Sequence, residues 1–238
     1  MTPDKSDKKQ TEDAAVKEKL AILGRLTATI AHDVRNPLGT INTSVFSIKT
    51  AIEKNQPERI ERALKLAERN IKKCDNILAE FIDNTQEIEI NTIPVNIDTW
   101  IKALFEEQTL PRSIECIYDF SCDHVILIDP ENLKRALTNI IKNAIQSMRD
   151  TDSGRLSVQA SMAEDSMIIC VIDTGTGIPD DIYPRIFDPL FSSKRFGVGL
   201  GLTVAREIVE KHGGTIEIES ETGSGTKVTI KIPITSVE

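Results

Sequence analysis

No run of apolar residues in this sequence approaches the roughly 20 needed to span a bilayer, and the charged amino terminus, Met1 to Lys9, lacks the apolar stretch of a signal peptide. The sequence therefore predicts no membrane span in the chain and a cytoplasmic location. Cysteine is scarce. The four present (Cys74, Cys116, Cys122 and Cys170) show no paired metal-site spacing and fall in apolar periodic segments, which predicts reduced structural thiols, no zinc and no disulfides. Positive charge is also short, with 29 Lys and Arg against 37 Asp and Glu and a net charge of −8. A nonspecific nucleic-acid binder carries a basic footprint, so nucleic acid is not an expected partner. Internal repeats and low-complexity tracts are missing as well. What is present is a chain of 238 residues, 39% of them hydrophobic, enough for one large or two small domains with an ordinary buried core.

The strongest periodicity comes first. Val16, Leu20, Leu23, Thr27, Ile30, Val34, Leu38, Ile41, Val45, Ile48 and Ile52 follow each other at steps of three and four, with one extra four-step beside Pro37. This is a coiled-coil seam with a stutter. A proline within a helix removes one ladder bond and strains the preceding turn, so a kink is expected there rather than a stop. Asn55-Gln56-Pro57 reads as a turn, with Pro57 suited to a helix start. A second seam follows at Ile60, Leu64, Ala67, Ile71, Cys74, Leu78 and Phe81. Two long antiparallel helices are expected. Their apolar faces are too extensive for one hairpin to cover, which predicts a homodimer built as a four-helix bundle.

The pattern changes after the polar stretch Asn84 to Thr92, which ends at Ile93-Pro94. The expected division is a flexible terminus over 1–15, a hairpin domain over 16–88, a linker over 89–94 and a second domain over 95–238. In that second domain, period-two runs predict strands at Ile114–Phe120, Val125–Ile128, Leu156–Met162, Met167–Ile172, Thr215–Glu219 and Lys227–Ile232. Helices are expected at about Asp98–Gln108, Pro130–Arg149 and Gly199–Lys211. The fold class is an α+β sandwich, with helices on one face of a mixed sheet. Trp100 is expected to pack a helix onto that sheet. His212, beside Gly213-Gly214, is placed to cap carbonyls at a helix end, and His124 begins a strand.

Five blocks carry chemistry. In Ala31-His32-Asp33-Val34-Arg35-Asn36-Pro37-Leu38, Ile30 and Val34 occupy the seam, so His32 points to solvent. An imidazole with an unperturbed pKa near 6.5 is mostly uncharged, and hence nucleophilic, at neutral pH. Asp33 can take the ring proton, and Asn36 lies one turn on along the same face. Asp129-Pro130-Glu131 opens a helix, with Asp129 as cap. Asn139 and Asn143 then share one face of that helix, and amide oxygens suit Mg²⁺. Asp173, at the end of an apolar strand and before Thr174-Gly175-Thr176-Gly177, is a carboxylate that can accept from an exocyclic amine. Gly175 and Gly177 let backbone approach a flat ring. Ile186 to Phe196 has the composition of a lid, with Lys194 able to reach phosphate. Gly197, Gly199 and Gly201 then lead into a helix whose free amides can cradle phosphates. Leu202 stands where a Rossmann fingerprint has its last glycine, and no Walker A sequence occurs, so an ATP site here is of the non-P-loop type.

In this order, the blocks resemble the catalytic core of a sensor histidine kinase, over nearly the whole chain from about Val16 to Pro233. The His block resembles that family's phosphoacceptor, which implies that His32 receives phosphate, Asp33 acts as base and Asn36 positions a water that dephosphorylates the partner. Asn139 and Asn143 resemble its N-box, which implies Asn143 as the Mg²⁺ ligand and Asn139 as its phosphate-side neighbour. Many relatives carry a basic residue and an aromatic shortly after the second Asn, and this chain departs from them with Gln146 and Ser147. The downstream domain is similar to the Bergerat-type ATPase shared with type II topoisomerases, mismatch-repair ATPases and heat-shock chaperones. The resemblance implies an ATP- and Mg²⁺-dependent protein histidine kinase that hands phosphate to a response-regulator aspartate. The rival readings are an ATP-driven conformational clamp, which would lack the His block on a dimerising hairpin, and a noncatalytic scaffold. Retention of both Asn residues, Asp173 and the second glycine block weighs against the latter. With no sensory domain ahead of Val16, the chain is expected to be the catalytic piece of a longer protein or to take its input through the amino-terminal helix or a separate chain.

Overall fold

In a computed structural model, the chain forms two units, one ending at Gln86 and the other beginning at Glu87. The backbone is described for residues 5–234 except 107–110, 112, 123, 150, 152, 164, 190 and 192–198. Side chains of 5–23, 25, 26, 29, 80, 83–85 and 121 also lie outside the description. The seam positions Val16, Leu20 and Leu23 fall in that group.

The first unit is a helical hairpin of α1 (Lys5–Glu53) and α2 (Pro57–Thr85). Helix α1 opens ahead of Val16 and runs unbroken through Pro37. It closes in a Schellman turn: Asn55 takes a left-handed φ of 50°, its N–H donates to Ile52 O, and the Gln56 N–H reaches back to Ala51 O. Pro57 then starts α2, where its missing N–H costs no ladder bond.

Within the hairpin the buried positions and the large exposed apolar positions form two sets. Ile30, Pro37, Ser44 and Ala51, seven residues apart, are buried, and Ala63, Ala67, Asn70 and Cys74 of α2 are buried as well. Most of these side chains are small or short, Ser44, Ala51, Ala63, Ala67 and Cys74 among them. The buried hydroxyl of Ser44 is satisfied by donating to Thr40 O at 2.9 Å. The larger seam residues Leu38, Val45, Ile52, Leu64, Ile71 and Leu78 stay exposed, from 43% for Leu78 to 62% for Ile52. The expected seams held Leu38, Val45 and Ile52 on α1 and Leu64, Ile71 and Leu78 on α2, and they passed over Pro37, Ser44, Ala51, Ala63 and Asn70. The repeat identifies apolar positions, but not which of them face the sister helix.

The second unit contains β1 (Ile93–Asn96), α3 (Ile97–Glu106), β2 (Ile114–Ser121), β3 (Val125–Ile128) and α4 (Pro130–Ser147), then β4 (Gly154–Ala163), β5 (Ser166–Asp173), a 3₁₀ turn at Tyr183–Arg185, α5 (Gly201–Lys211), β6 (Thr215–Glu221) and β7 (Gly225–Pro233). Its five-stranded sheet has the order β2-β4-β5-β7-β6; only β2 and β4 are parallel. This is the expected mixed sheet. The end of the expected linker is instead a strand, because β1 pairs antiparallel with β3, Ile93 opposite Ile128. Four residues that include a proline are too few to show a period.

Alternation along the strands sends Leu156, Val158 and Ala160, Met167, Ile169 and Val171, and Val228, Ile230 and Ile232 into the core. There they join Leu133, Leu137, Ile140 and Ile141 of α4 and Val204, Ala205, Ile208 and Val209 of α5 among the buried residues. Each large side chain taken fully out of water contributes roughly 1.5–3 kcal/mol. Helix α3 buries Ile97, Ile101, Leu104 and Phe105. That stripe, and not Trp100, is its core face; Trp100 lies on the flank and is only half-buried. No disulfide forms among the described residues, where all four cysteines are free.

Candidate functional site

Each unit carries part of the expected chemistry. On α1, His32 is well exposed, and its Nδ1 lies 3.2 Å from Asp33 Oδ1. This geometry puts the ring proton on Nδ1 and leaves the Nε2 lone pair available. Asn36 is exposed one turn further along α1.

In the second unit, α4 is held at its start by Asp129. The carboxylate accepts the Asn132 N–H at 2.9 Å and the Asn91 N–H at 2.8 Å, and the Asn132 side chain also donates to it. Burial pushes the Asp129 carboxyl upward, but these hydrogen bonds and the nearby His212 ring outweigh it, so the group sits below the usual Asp range. His212, at the end of α5, accepts the Asp129 N–H on Nε2 at 3.1 Å, with Nδ1 2.7 Å from Ile208 O. The expected capping of a carbonyl is present, and the tie to Asp129 across 83 residues is an addition with no local signal. Lys211 Nζ donates to Ile88 O, and Asn132 Nδ2 to Glu89 O, so the segment before β1 is pinned to both helices.

A group with a depressed folded pKa stabilises the fold above its unfolded pKa, about 3.9 for Asp, and that stability is lost as pH falls through the folded pKa. Asp129→Ala should therefore lower stability by roughly 2 kcal/mol near pH 7, through a lost cap and lost Asn91 tether. In urea unfolding, the gap between parent and variant should narrow as pH is taken below about 4.

Asn139 and Asn143 follow on α4, both half-buried. A Cβ at Gly201, the first residue of α5, would lie 3.5 Å from Asn139 Cβ and Cγ. Gly201 and the first of the two amides are thus neighbours. Gly199, with a φ of 71°, turns the chain into buried Leu200 and half-buried Leu202. The helix begins at Gly201 rather than at Gly199.

Asp173 ends β5 and is buried at 6% exposure. Its Oδ1 accepts the Gly175 N–H at 2.8 Å and lies 2.9 Å from Ser147 Oγ. A Cβ at Gly175 would come within 2.0 Å of Ser147 Oγ, so only glycine fits this turn. Gly177 has a φ of 66°, and a Cβ there would meet Glu221 O at 2.1 Å. The loop is stitched to the β6–β7 turn by Ile178 N–H to Ser220 Oγ and Gly223 N–H to Thr176 O, both 2.9 Å. Tyr183 adds a hydrogen bond to Ile218 O. Ser220 and Tyr183 support this wall, and nothing in their sequence surroundings marks them.

Of the segment expected as a lid, 186–196, residues 186–189 and 191 are described. Ile186 is buried, the Phe187 ring lies under the Arg206 guanidinium at 4.8 Å, and Thr203 Oγ1 donates to Phe187 O. Lys194 and Gly197 lie outside the described residues. No metal-binding cluster of His, Cys, Asp and Glu occurs among the described residues. The amide oxygens of Asn139 and Asn143 are of the kind that Mg²⁺ accepts as ligands.

A mixed sheet with α4 and α5 on one face, glycines at the α5 start and a buried Asp before a glycine turn define a non-P-loop ATPase domain. Residues 128–236 match the family described as histidine kinase-, DNA gyrase B- and HSP90-like ATPase. Residues 22–86 match the His Kinase A phospho-acceptor domain. Sporulation kinase D of Bacillus subtilis (strain 168) is 30% identical over 225 residues, covering 92% of this chain and 43% of that protein. Sensor histidine kinase ZraS of Escherichia coli (strain K12) is 34% identical over 226 residues, covering 92% of this chain and 47% of that protein. In fold, the chain is similar to histidine kinase ThkA, solved in complex with response regulator protein TrrA. That likeness has a TM-score of 0.74 at 24% identity and covers 98% of this chain and 68% of that one. The chain spans less than half the length of these two kinases. It belongs to the sensor histidine kinases and has the two domains of their catalytic core. Among the described residues, no helix is long and apolar enough to cross a membrane.

Proposed function

We propose that this chain transfers the γ-phosphoryl group of ATP to His32 and passes it to an aspartate of a response-regulator receiver domain. The observation that carries this reading is the exposed His32 ring, with Nδ1 against Asp33, on the same chain as the ATPase domain. The Nε2 lone pair forms the N–P bond, the bond from the γ-phosphorus to the bridging oxygen breaks, and ADP leaves. Asp33 holds the Nδ1 proton and can accept it as the ring loses basicity. Alignment and charge neutralisation do the remaining work.

In the second domain, Asp173 reads the exocyclic amine of adenine, and Gly175 and Gly177 admit the ring. Gly199, Gly201 and Leu202, together with Gly197, form the phosphate-side turn, and Lys194 reaches the phosphates. Mg²⁺, when bound, neutralises phosphate charge; Asn143 would ligate it, with Asn139 alongside. The exposed residues Leu38, Val45, Ile52, Leu64, Ile71 and Leu78 support a homodimer, because a second hairpin would cover them. The ThkA–TrrA complex supports a receiver domain as partner. Incubation with γ-labelled ATP should label the protein in an acid-labile, alkali-stable form, as a phosphoramidate requires. No label, or an acid-stable label, would remove the assignment.

Asn36 shares its helical face with His32, and its amide can both donate to and accept from a water aimed at a phosphorylated regulator. Asn36→Ala should slow dephosphorylation of the regulator by roughly tenfold or more, with His32 labelling largely intact. Decay of a phosphorylated cognate regulator with parent and variant, in Mg-ADP, checks this. Equal rates, with the parent faster than no protein, would remove Asn36 from the reaction.

A further inference from the structure

We infer that Ser147 is a positioning residue that sets the base specificity of the nucleotide site by fixing the Asp173 carboxylate. The inference rests on Asp173 as the adenine-reading group.

Ser147 is the last residue of α4, one turn beyond Asn143, and joins that helix to the Asp173 turn through two groups. Its carbonyl accepts the Thr176 N–H at 3.3 Å, and its Oγ lies 2.9 Å from Asp173 Oδ1. The hydroxyl has one proton and two acceptors within reach, since Ala144 O lies at 2.8 Å. The second contact is the usual back-bond of a helical serine. Donation to it would leave Oγ and Oδ1 facing lone pair to lone pair at 2.9 Å. Oδ1 already accepts the Gly175 N–H, so the proton between the two oxygens comes from Ser147, and bonds to a carboxylate are the stronger kind.

Two donors on one oxygen, one from each side of the pocket wall, hold the carboxylate in a single orientation. A carboxylate free to rotate about its last bond would lose that orientation and, with it, discrimination between an amine and a carbonyl on the base. The close approach also accounts for the glycine: a Cβ at Gly175 would come within 2.0 Å of Ser147 Oγ and 2.7 Å of Asp173 Oδ1.

The test is calorimetric titration of the whole chain with ADP and with inosine diphosphate, which has a carbonyl oxygen in place of the exocyclic amine. Ser147→Ala should weaken ADP binding about tenfold, the worth of a hydrogen bond to a charged group, with inosine diphosphate unchanged. Ser147→Thr, which keeps the hydroxyl, should restore ADP affinity to within about threefold, allowing for its extra methyl. In the Asp173→Asn background, Ser147→Ala should add little, because coupled residues are non-additive. Parent-like ADP affinity in Ser147→Ala, with Asp173→Asn impaired, would overturn the role of Ser147 and leave that of Asp173. Equal weakening of both nucleotides by Ser147→Ala would show a merely structural residue and overturn it too. Parent-like ADP binding in Asp173→Asn would remove the reading of Asp173, and the role of Ser147 with it.

Discussion

His32→Ala should reduce label incorporation from γ-labelled ATP to background, a loss of about three orders of magnitude or more, as for removal of an attacking nucleophile. ADP affinity should stay within about twofold of the parent, since sites that share no partners behave additively. The two effects separate because the imidazole belongs to one unit of the chain and Asn139, Asn143, Asp173 and Gly201 belong to the other. His32 is exposed, and its described hydrogen bond is to the adjacent Asp33, so its removal creates no cavity and orphans no buried group. A fold-wide cause for lost labelling is thereby excluded, and an unchanged thermal transition would show it. Asp33 would still be present in the variant, yet it cannot substitute: a carboxylate can receive a phosphoryl group, but the product is an acyl phosphate, cleaved by alkali, whereas a phosphohistidine is labile in acid and survives alkali. Persistent acid-labile, alkali-stable label in His32→Ala would move the acceptor elsewhere and remove this reading of the hairpin.

What was legible in the sequence was local or periodic. Asp129 as a helix cap could be read because cap, proline and first turn are adjacent, and its bond to the Asn132 N–H follows. The strands from Ile114 to Pro233 could be read because a sheet covered on one face writes a period of two, as in Leu156, Val158 and Ala160. The turn at Asn55 to Pro57 could be read because a left-handed residue and a helix-starting proline leave a signature of composition. What failed to show depends on pairings across the chain. Ser147 and Asp173 are 26 residues apart, and His212 and Asp129 are 83 apart. Either histidine or serine alone has a bland reading, and a single sequence contains no term linking them. The hairpin lies between these cases. Its heptads identify Leu38 as a seam position and pass over Ala51, yet Ala51 is fully buried and Leu38 is 48% exposed. That difference is set by the sister helix in three dimensions, and the stutter beside Pro37 shifts which positions face it.

Asn143→Ala should abolish most of the gain in nucleotide affinity that Mg²⁺ provides, while ADP affinity in EDTA stays near that of the parent. Mg²⁺ demands near-octahedral oxygen coordination and is usually held by one or two protein oxygens plus phosphate oxygens and water. The removal of one protein oxygen from so small a set is costly, on the order of 10–100-fold in metal-dependent affinity. The surroundings of Asn143 favour this role over simple solvation of a helix face. Ile140, Ile141 and Ala144 bury their side of α4 in the core, so the helix is fixed and its polar face cannot rotate away. Gly201 sits against Asn139, one turn earlier on the same face, which places the free amides at the start of α5 beside these carboxamides. The metal and the phosphates it binds would therefore meet oxygen donors from α4 and N–H donors from α5, each matched to its own charge. Alanine is a strong helix former, so the substitution removes the oxygen without disturbing the helix. ADP titrations of parent and variant, each with Mg²⁺ and with EDTA, give the comparison as a ratio of ratios, independent of phosphoryl transfer. If the variant keeps the parent's Mg²⁺ enhancement, the metal is held by other oxygens and Asn143 only solvates α4. If it loses affinity equally with and without Mg²⁺, the amide contacts the nucleotide directly, and the metal assignment falls on that ground instead.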